Sequence, residues 1–307
     1  MRGLLRFVAL AAFAAGATPA LAQQSCDRAC LTGVIDSYFT ALLANDPGAL
    51  RQAGGARITE NGAEKRLADT FWDGAAETVF RFDIVNTTRG DTGTQTVIRN
   101  ADGSKTMHML RLKVQRGAIT EIETIKANQG DADRLWDPDR LTAVSPDLQL
   151  SIREAERDSY YALIAAAEGY WRAFQTNGTP DYHPAPLLPD ARRFENGLQT
   201  TGLVRDGVYQ SAQRGFDEGR FLNRNIWDRR YPVVDEERGI VLSIVRFGIK
   251  GGAQSQSTVT SNDRLVAEFF AVKRGQIQEI QAVLFNLPDA QPTGWPPDTG
   301  PGRGSAK

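Results

Sequence analysis

The chain has 307 residues, with 36 Lys and Arg against 37 Asp and Glu, and a net charge of −1. Its charges are mixed rather than blocked, which excludes the electrostatic footprint of a nucleic-acid or anionic-membrane binder. With only two His and two Cys, a zinc or iron centre would need an unusual carboxylate-rich shell.

Arg2 and Arg6 precede the apolar run Phe7 to Ala15, and Ala20-Leu21-Ala22 offers a small-residue cleavage site. Residues 1–22 read as a secretory signal, so the mature protein is expected to be periplasmic or secreted. No later stretch is long and apolar enough for a membrane span, and no membrane partner is expected. Cys26 and Cys30 follow directly. In an oxidising compartment they are expected to close a local disulfide pinning the first helix, with a pair of free thiols as the alternative.

Leu31, Val34, Ile35, Tyr38, Phe39 and Leu42 recur at helical spacing, and Asn45-Asp46-Pro47-Gly48 ends the pattern. An irregular stretch then leads to Thr59-Glu60-Asn61-Gly62, where Asn-Gly marks a turn because both residues tolerate positive φ. Strands are predicted over 78–85, 94–99, 105–115 and 118–127, joined by the turns Asn100 to Gly103 and Gln115-Arg116-Gly117. A polar linker covers 129–149. The plan then repeats: Leu163, Ala167, Tyr170, Trp171 and Phe174 form a helical stripe, and Phe194-Glu195-Asn196-Gly197 is the second corner. Strands are predicted over 233–235, 240–250, 265–273 and 276–284.

The clearest sign of repetition is that RLKVQRGAITEIETIKA, from Arg111, aligns without gaps on FFAVKRGQIQEIQAVLF, from Phe269. Val114, Arg116, Gly117, Ile119, Glu121 and Ile122 fall on Val272, Arg274, Gly275, Ile277, Glu279 and Ile280. The chain is therefore an internal duplication, with one domain over 23–128 and another over 150–287. Helices followed by runs of antiparallel strands predict the α+β class. The Pro- and Gly-rich tail 288–307 is expected to be mostly solvated, although Trp295 can dock back onto a domain.

The helix, the Glu-Asn-Gly corner and a sheet ending in G-x-I-x-E-I resemble the NTF2-like superfamily, which includes SnoaL-type cyclases, ketosteroid isomerase and scytalone dehydratase. Cys26-Asp27-Arg28-Ala29-Cys30-Leu31, followed by Thr59-Glu60-Asn61-Gly62, resembles more narrowly a family of secreted, duplicated NTF2-like proteins of unknown function. The resemblance implies two tandem cone-shaped domains, helices on a curved antiparallel sheet, packed as a pseudo-dimer within one chain. It also implies a small-molecule ligand or substrate, and it transfers no catalytic residue, because the superfamily's known acid/base motifs have no counterpart here.

The sequence has no G-x-S-x-G elbow, no P-loop and no G-x-G-x-x-G after a strand. What remains for an enzyme is acid/base chemistry without a cofactor: a lyase, dehydratase or isomerase acting on a small cyclic or aromatic molecule. The alternative is a non-catalytic small-molecule-binding protein. His108 shares a strand face with Thr106, Leu110, Leu112 and Val114; in the second half His108 aligns with Val266, and Leu110 with Glu268. His108 and Glu268 are the candidate catalytic groups, the alternative being inward polar residues satisfied by their surroundings. Arg57 or Arg192 is the candidate for stabilising an oxyanion. Glu60 and Glu195 are placed at a pocket mouth or, alternatively, as caps on backbone N–H groups. Trp72, His183, Trp227 and Tyr231 complete the candidate binding set, since aromatic rings and arginines suit planar or carboxylated ligands.

Overall fold

The structure, a computed structural model, describes residues 26–72, 74–132, 134–249, 263–288 and 291–297. The secretory signal expected over 1–22 lies outside the described residues. In chain order the first half comprises helix α1 (Arg28–Leu43) and strands β1 (Gln52–Glu60), β2 (Ala63–Glu64), β3 (Ala75–Asn86), β4 (Asp91–Asn100), β5 (Lys105–Gln115) and β6 (Ala118–Ala127). Helix α2 (Pro146–Gln149) lies in the connection. The second half comprises α3 (Tyr160–Thr176), β7 (Leu187–Glu195), β8 (Leu198–Thr201), β9 (Leu203–Arg205), β10 (Val208–Gln210), α4 (Arg214–Asp217), β11 (Arg224–Asp235), β12 (Ile240–Ile249), β13 (Arg264–Lys273) and β14 (Gln276–Asn286).

The expected class, α+β with tandem NTF2-like cones, is overturned. Strand makes up 45% of the described residues and helix 21%, and the architecture is two six-stranded sheets with few helices. The sheets run β2-β1-β6-β5-β4-β3 and β8-β7-β14-β13-β12-β11, the same order in each half. They are mixed rather than antiparallel, because β1 pairs parallel with β6 and β7 parallel with β14. These two strands fall where the sequence reads as irregular. Register shifts at Gln52/Arg57 and Ile277/Glu279 interrupt the pairing, and Gly54-Gly55 and Pro189 blur the period-two alternation that would announce a strand.

Local chemistry explains the long helices. Asp27 caps α1 by accepting from the Cys30 N–H at 2.9 Å, and the Cys26–Cys30 disulfide closes around that cap. Ser159 caps α3 by accepting from Ala162. Each helix buries one stripe: Leu31, Ile35, Tyr38, Phe39 and Leu42 in α1; Leu163, Ala167, Tyr170, Trp171 and Phe174 in α3. Burying a Leu or Ile of such a stripe contributes about 1.5 to 3 kcal/mol.

Three apolar clusters result. The α1 stripe packs with Ile58, Ile98, Leu110 and Leu112, and the α3 stripe with Val241, Val266, Phe270 and Ile280. The third joins the opposite faces of the two sheets: Phe80, Phe82, Met107 and Met109 meet Leu242, Ile244, Leu265 and Phe269. Phe82 and Phe269 meet edge to face at 5.8 Å. Gly93 makes room for that contact, since a Cβ there would lie 3.2 Å from the Phe269 ring.

The two Asn-Gly corners are built alike. Asn61 and Asn196 have φ of 50° and 45°. Each bonds its side chain to the last strand: Asn61 to Lys126 N and O, Asn196 to Leu284 N and O. Each following glycine is then covered by chain leaving the other half. A Cβ on Gly62 would lie 2.3 Å from the Pro292 carbonyl oxygen, and one on Gly197 2.3 Å from that of Asp137. Residues 291–297 are therefore docked, not solvated as expected of the tail.

Candidate functional site

His108 sits on the helix-facing side of β5 and is fully buried, with its ring stacked on Phe71 at 3.8 Å. Neither ring nitrogen has a hydrogen-bond partner. Burial, and next the nearby charge of Lys126, holds it well below its ordinary value of 6.5, so the imidazole is neutral. Phe71 also donates its backbone N–H to Glu60 Oε2 at 2.8 Å, and Lys65 donates to Glu60 Oε1 at 2.7 Å. Glu60 thus fills the capping role. Trp72 is buried beside it, edge to face with Tyr38 at 5.4 Å.

Glu268 sits on the corresponding face of β13, buried, with Oε2 lacking a hydrogen-bond partner. Burial pushes its carboxyl up to about 8, against the pull of Arg193 and with the push of Glu195. Arg193 is the residue that joins this interior. It donates to the Tyr170 hydroxyl at 3.2 Å and pairs with Glu195 at 3.3 Å. The Tyr170 hydroxyl is raised in turn, first by burial and then by Glu268.

Alternation along the strands decides which arginine does this. Arg192 and Arg193 point to opposite faces of β7. Arg192, the oxyanion candidate, turns outward to Ser145, Asp147 and buried Glu279, each within 2.7 Å. Arg57 likewise lies away from the interior, while Ile58 faces α1. Aligning the corners places Ile58 against Arg193, as Leu110 aligns with Glu268. The first half therefore carries an apolar pair where the second carries a cation and a carboxyl. The acid-bearing cluster is confined to the second half.

The other expected residues lie apart. His183 is exposed between α3 and β7. Trp227 packs under Arg246, 6.0 Å from guanidinium to ring. Tyr231 is buried in the α3 cluster and donates its hydroxyl to Glu168, which also accepts from Arg229. Arg57 stacks on Trp295 at 4.2 Å and donates to the Gly294 carbonyl at 2.5 Å. Cavities of 450 and 210 Å³ flank Trp295, and neither is lined by His108 or Glu268. Among the described residues, no His, Cys, Asp and Glu side chains group so as to hold a metal ion, and no helix is long and apolar enough to cross a membrane.

A second charged network escaped the sequence reading. Arg111 is buried between Glu121 at 2.6 Å and Glu123 at 2.9 Å, and Arg230 from the second half closes on the same Glu123. Its signal was the charge at Arg111 on the Met107-Met109 face of β5. Burial pushes the Glu123 carboxyl up, but Arg230 and Arg111 more than reverse this.

Residues 156–284 match a family described as Domain of unknown function (DUF8021), which spans the whole Glu268 cluster and leaves His108 outside. No curated protein matches the chain. Among solved structures the chain is similar to a de novo designed protein with a curved β-sheet, at 14% identity and a TM-score of 0.27, over 41% of this chain and 88% of that one. At that score the likeness bears on neither fold nor function. The family match covers less than half of the chain and attaches no function to the residues it spans.

Proposed function

We propose that the second half carries out acid/base chemistry without a cofactor, as a lyase, dehydratase or isomerase acting on a small cyclic or aromatic molecule. The observation that carries this is Glu268: a buried carboxyl with an unpartnered oxygen, raised to about 8 beside Arg193 and Glu195. At neutral pH such a group holds its proton and can give it to a substrate oxygen, then take it back. Arg193, fixed by Tyr170 and Glu195, supplies the positive charge where an oxyanion develops. In the first half His108 is a neutral base without an equivalent of Arg193, so it is the weaker of the two groups.

A second reading, non-catalytic binding of a small apolar molecule, is favoured by two observations. Phe174, Phe216, Phe221 and Phe247 crowd the α3 side within 5.2 Å of one another in sequential ring pairs, and neither described cavity reaches Glu268.

The test is proton exchange and isomerisation of a panel of cyclic β,γ-unsaturated and β-hydroxy ketones in D₂O, followed by NMR. The wild-type chain should catalyse exchange with a basic limb near pH 8, and Glu268→Gln should lower turnover by about 10²- to 10⁴-fold. Full turnover in Glu268→Gln sinks the assignment. Saturable binding without exchange gives the second reading instead.

A further inference from the structure

Trp295 lies between two guanidinium groups. Arg57 stands 4.2 Å from the indole centroid and Arg111 stands 4.5 Å from it. The indole N–H donates to Thr59 Oγ1 at 2.9 Å. Neighbouring chain holds the segment there: Gln291 Nε2 donates to the Asn61 carbonyl at 2.5 Å, and the buried Thr293 hydroxyl to Asp228 at 3.0 Å. No other tryptophan among the described residues has a guanidinium within 6 Å on two sides.

The two walls of this slot differ. The Arg111 side chain is only 5% exposed and is fixed by Glu121 and Glu123, so it keeps its place whatever fills the slot. The Arg57 side chain is 40% exposed; it pairs with Glu64 at 3.7 Å, and its tighter bond, to the Gly294 carbonyl, is to the same segment as Trp295 and leaves with it. The slot can therefore open on the Arg57 side. Beyond the indole edge, the 210 Å³ cavity is lined by Arg89, Arg111, Lys113 and Arg230 against Asp91 and Glu121, with Glu123 behind Arg111 and Arg230, so that four cations meet three carboxylates. Flat rings are attracted to guanidinium faces, and an anion at the ring edge is attracted to such a cavity.

We propose that the Arg57–Arg111 slot is a binding site for an aromatic acid of indole size, and that Trp295 is its built-in competitor. The ring of the ligand lies between the two guanidiniums with a donor toward Thr59, and its carboxylate enters the cavity beside Lys113 and Arg230. This site is separate from the Glu268 interior and stands whether or not that interior is catalytic.

The experiment uses the full chain and its Trp295→Ala variant, titrated calorimetrically with indole-3-acetate and with neutral 3-methylindole. Trp295→Ala should bind indole-3-acetate at least ten-fold more tightly than the wild type does, and at least ten-fold more tightly than it binds 3-methylindole. Adding Arg57→Ala should remove at least ten-fold of that affinity. Equal binding of the two probes overturns the acid, and no gain over the wild type in a chain with unchanged circular dichroism overturns the site. If Trp295→Ala unfolds, Trp295→Leu in the same titration decides by the same outcomes.

Discussion

Arg230 of β11 closes on Glu123 of β6 with both terminal nitrogens, Nη1 to Oε2 at 2.9 Å and Nη2 to Oε1 at 2.5 Å, and both side chains are buried. The pair joins the two halves of the chain at the seam between their sheets. Its loss strands a buried carboxylate against Arg111 alone. Arg230→Ala should lower stability by about 3 to 5 kcal/mol, read from urea denaturation. A loss under about 1 kcal/mol would show that Arg111 suffices for Glu123.

The two corners respond differently to a methyl group. Gly197 has φ of 83°, and a Cβ there meets Asp137 O at 2.3 Å, Asp137 C at 2.7 Å and Pro138 Cα at 2.9 Å. Gly197→Ala should cost about 3 kcal/mol or more, because strain at positive φ adds to a clash with backbone held between two folded halves. At Gly62 the clash is with Pro292, in a strap that can lift. Gly62→Ala should therefore cost less and should expose residues 291–297 to limited proteolysis. Equal costs with an undisturbed strap would contradict this account.

Two buried groups give opposite pH dependences. Glu268 is raised from 4.5 to about 8, so the folded chain holds a proton that the unfolded chain releases, and stability falls as pH rises through that window. His108 is lowered well below 6.5, so the unfolded chain takes up a proton that the folded chain refuses, and stability falls as pH drops below about 6.5. Glu268→Gln should gain on the wild type as pH rises from 5 to 8, and His108→Leu should gain as pH falls below 6.5. Denaturation midpoints across pH 4 to 9 test both, and variant curves parallel to the wild type refute both.

Reduction of Cys26–Cys30 should matter little for the whole fold. The bridge spans a separation of four residues, and so short a loop is worth about 2 kcal/mol or less in the unfolded chain. Reduction should fray the first turn of α1 around Asp27 and shift the melting temperature by only a few degrees. Non-reduced peptide mass spectrometry should find the bridge; two alkylatable thiols would deny it.

Much of the frame was legible. The stripes Leu31 to Leu42 and Leu163 to Phe174 have a period only a helix satisfies, and strands β5, β6, β13 and β14 lie at or within a residue or two of their expected spans. The Asn-Gly corners were legible for the same reason, since few residues accept their φ. The parallel strands β1 and β7 were not, because bulges break their alternation, and without them the sheets were read as antiparallel. At the candidate site, alternation put His108 and Glu268 each on the apolar face of its strand, and both are buried there. Arg192 rather than Arg193 was the candidate because two adjacent arginines look alike until the strand register assigns each to a face, and it is Arg193 that lies beside Tyr170. Trp227 and His183 were grouped with Arg192 by nearness in sequence, which a folded sheet does not respect.

The crossing of each corner by chain from the other half has a consequence for synthesis. Residues 137–147 leave the ribosome before the second half exists, whereas 291–297 emerge after it. Until then nothing can cover Gly62, and Phe80, Phe82, Met107 and Met109 have no facing sheet. A nascent first half therefore carries an apolar sheet face in water for as long as the second half takes to be made, about ten seconds or more at ordinary elongation rates. The duplication that doubles the core also makes its first copy dependent on the completion of the second.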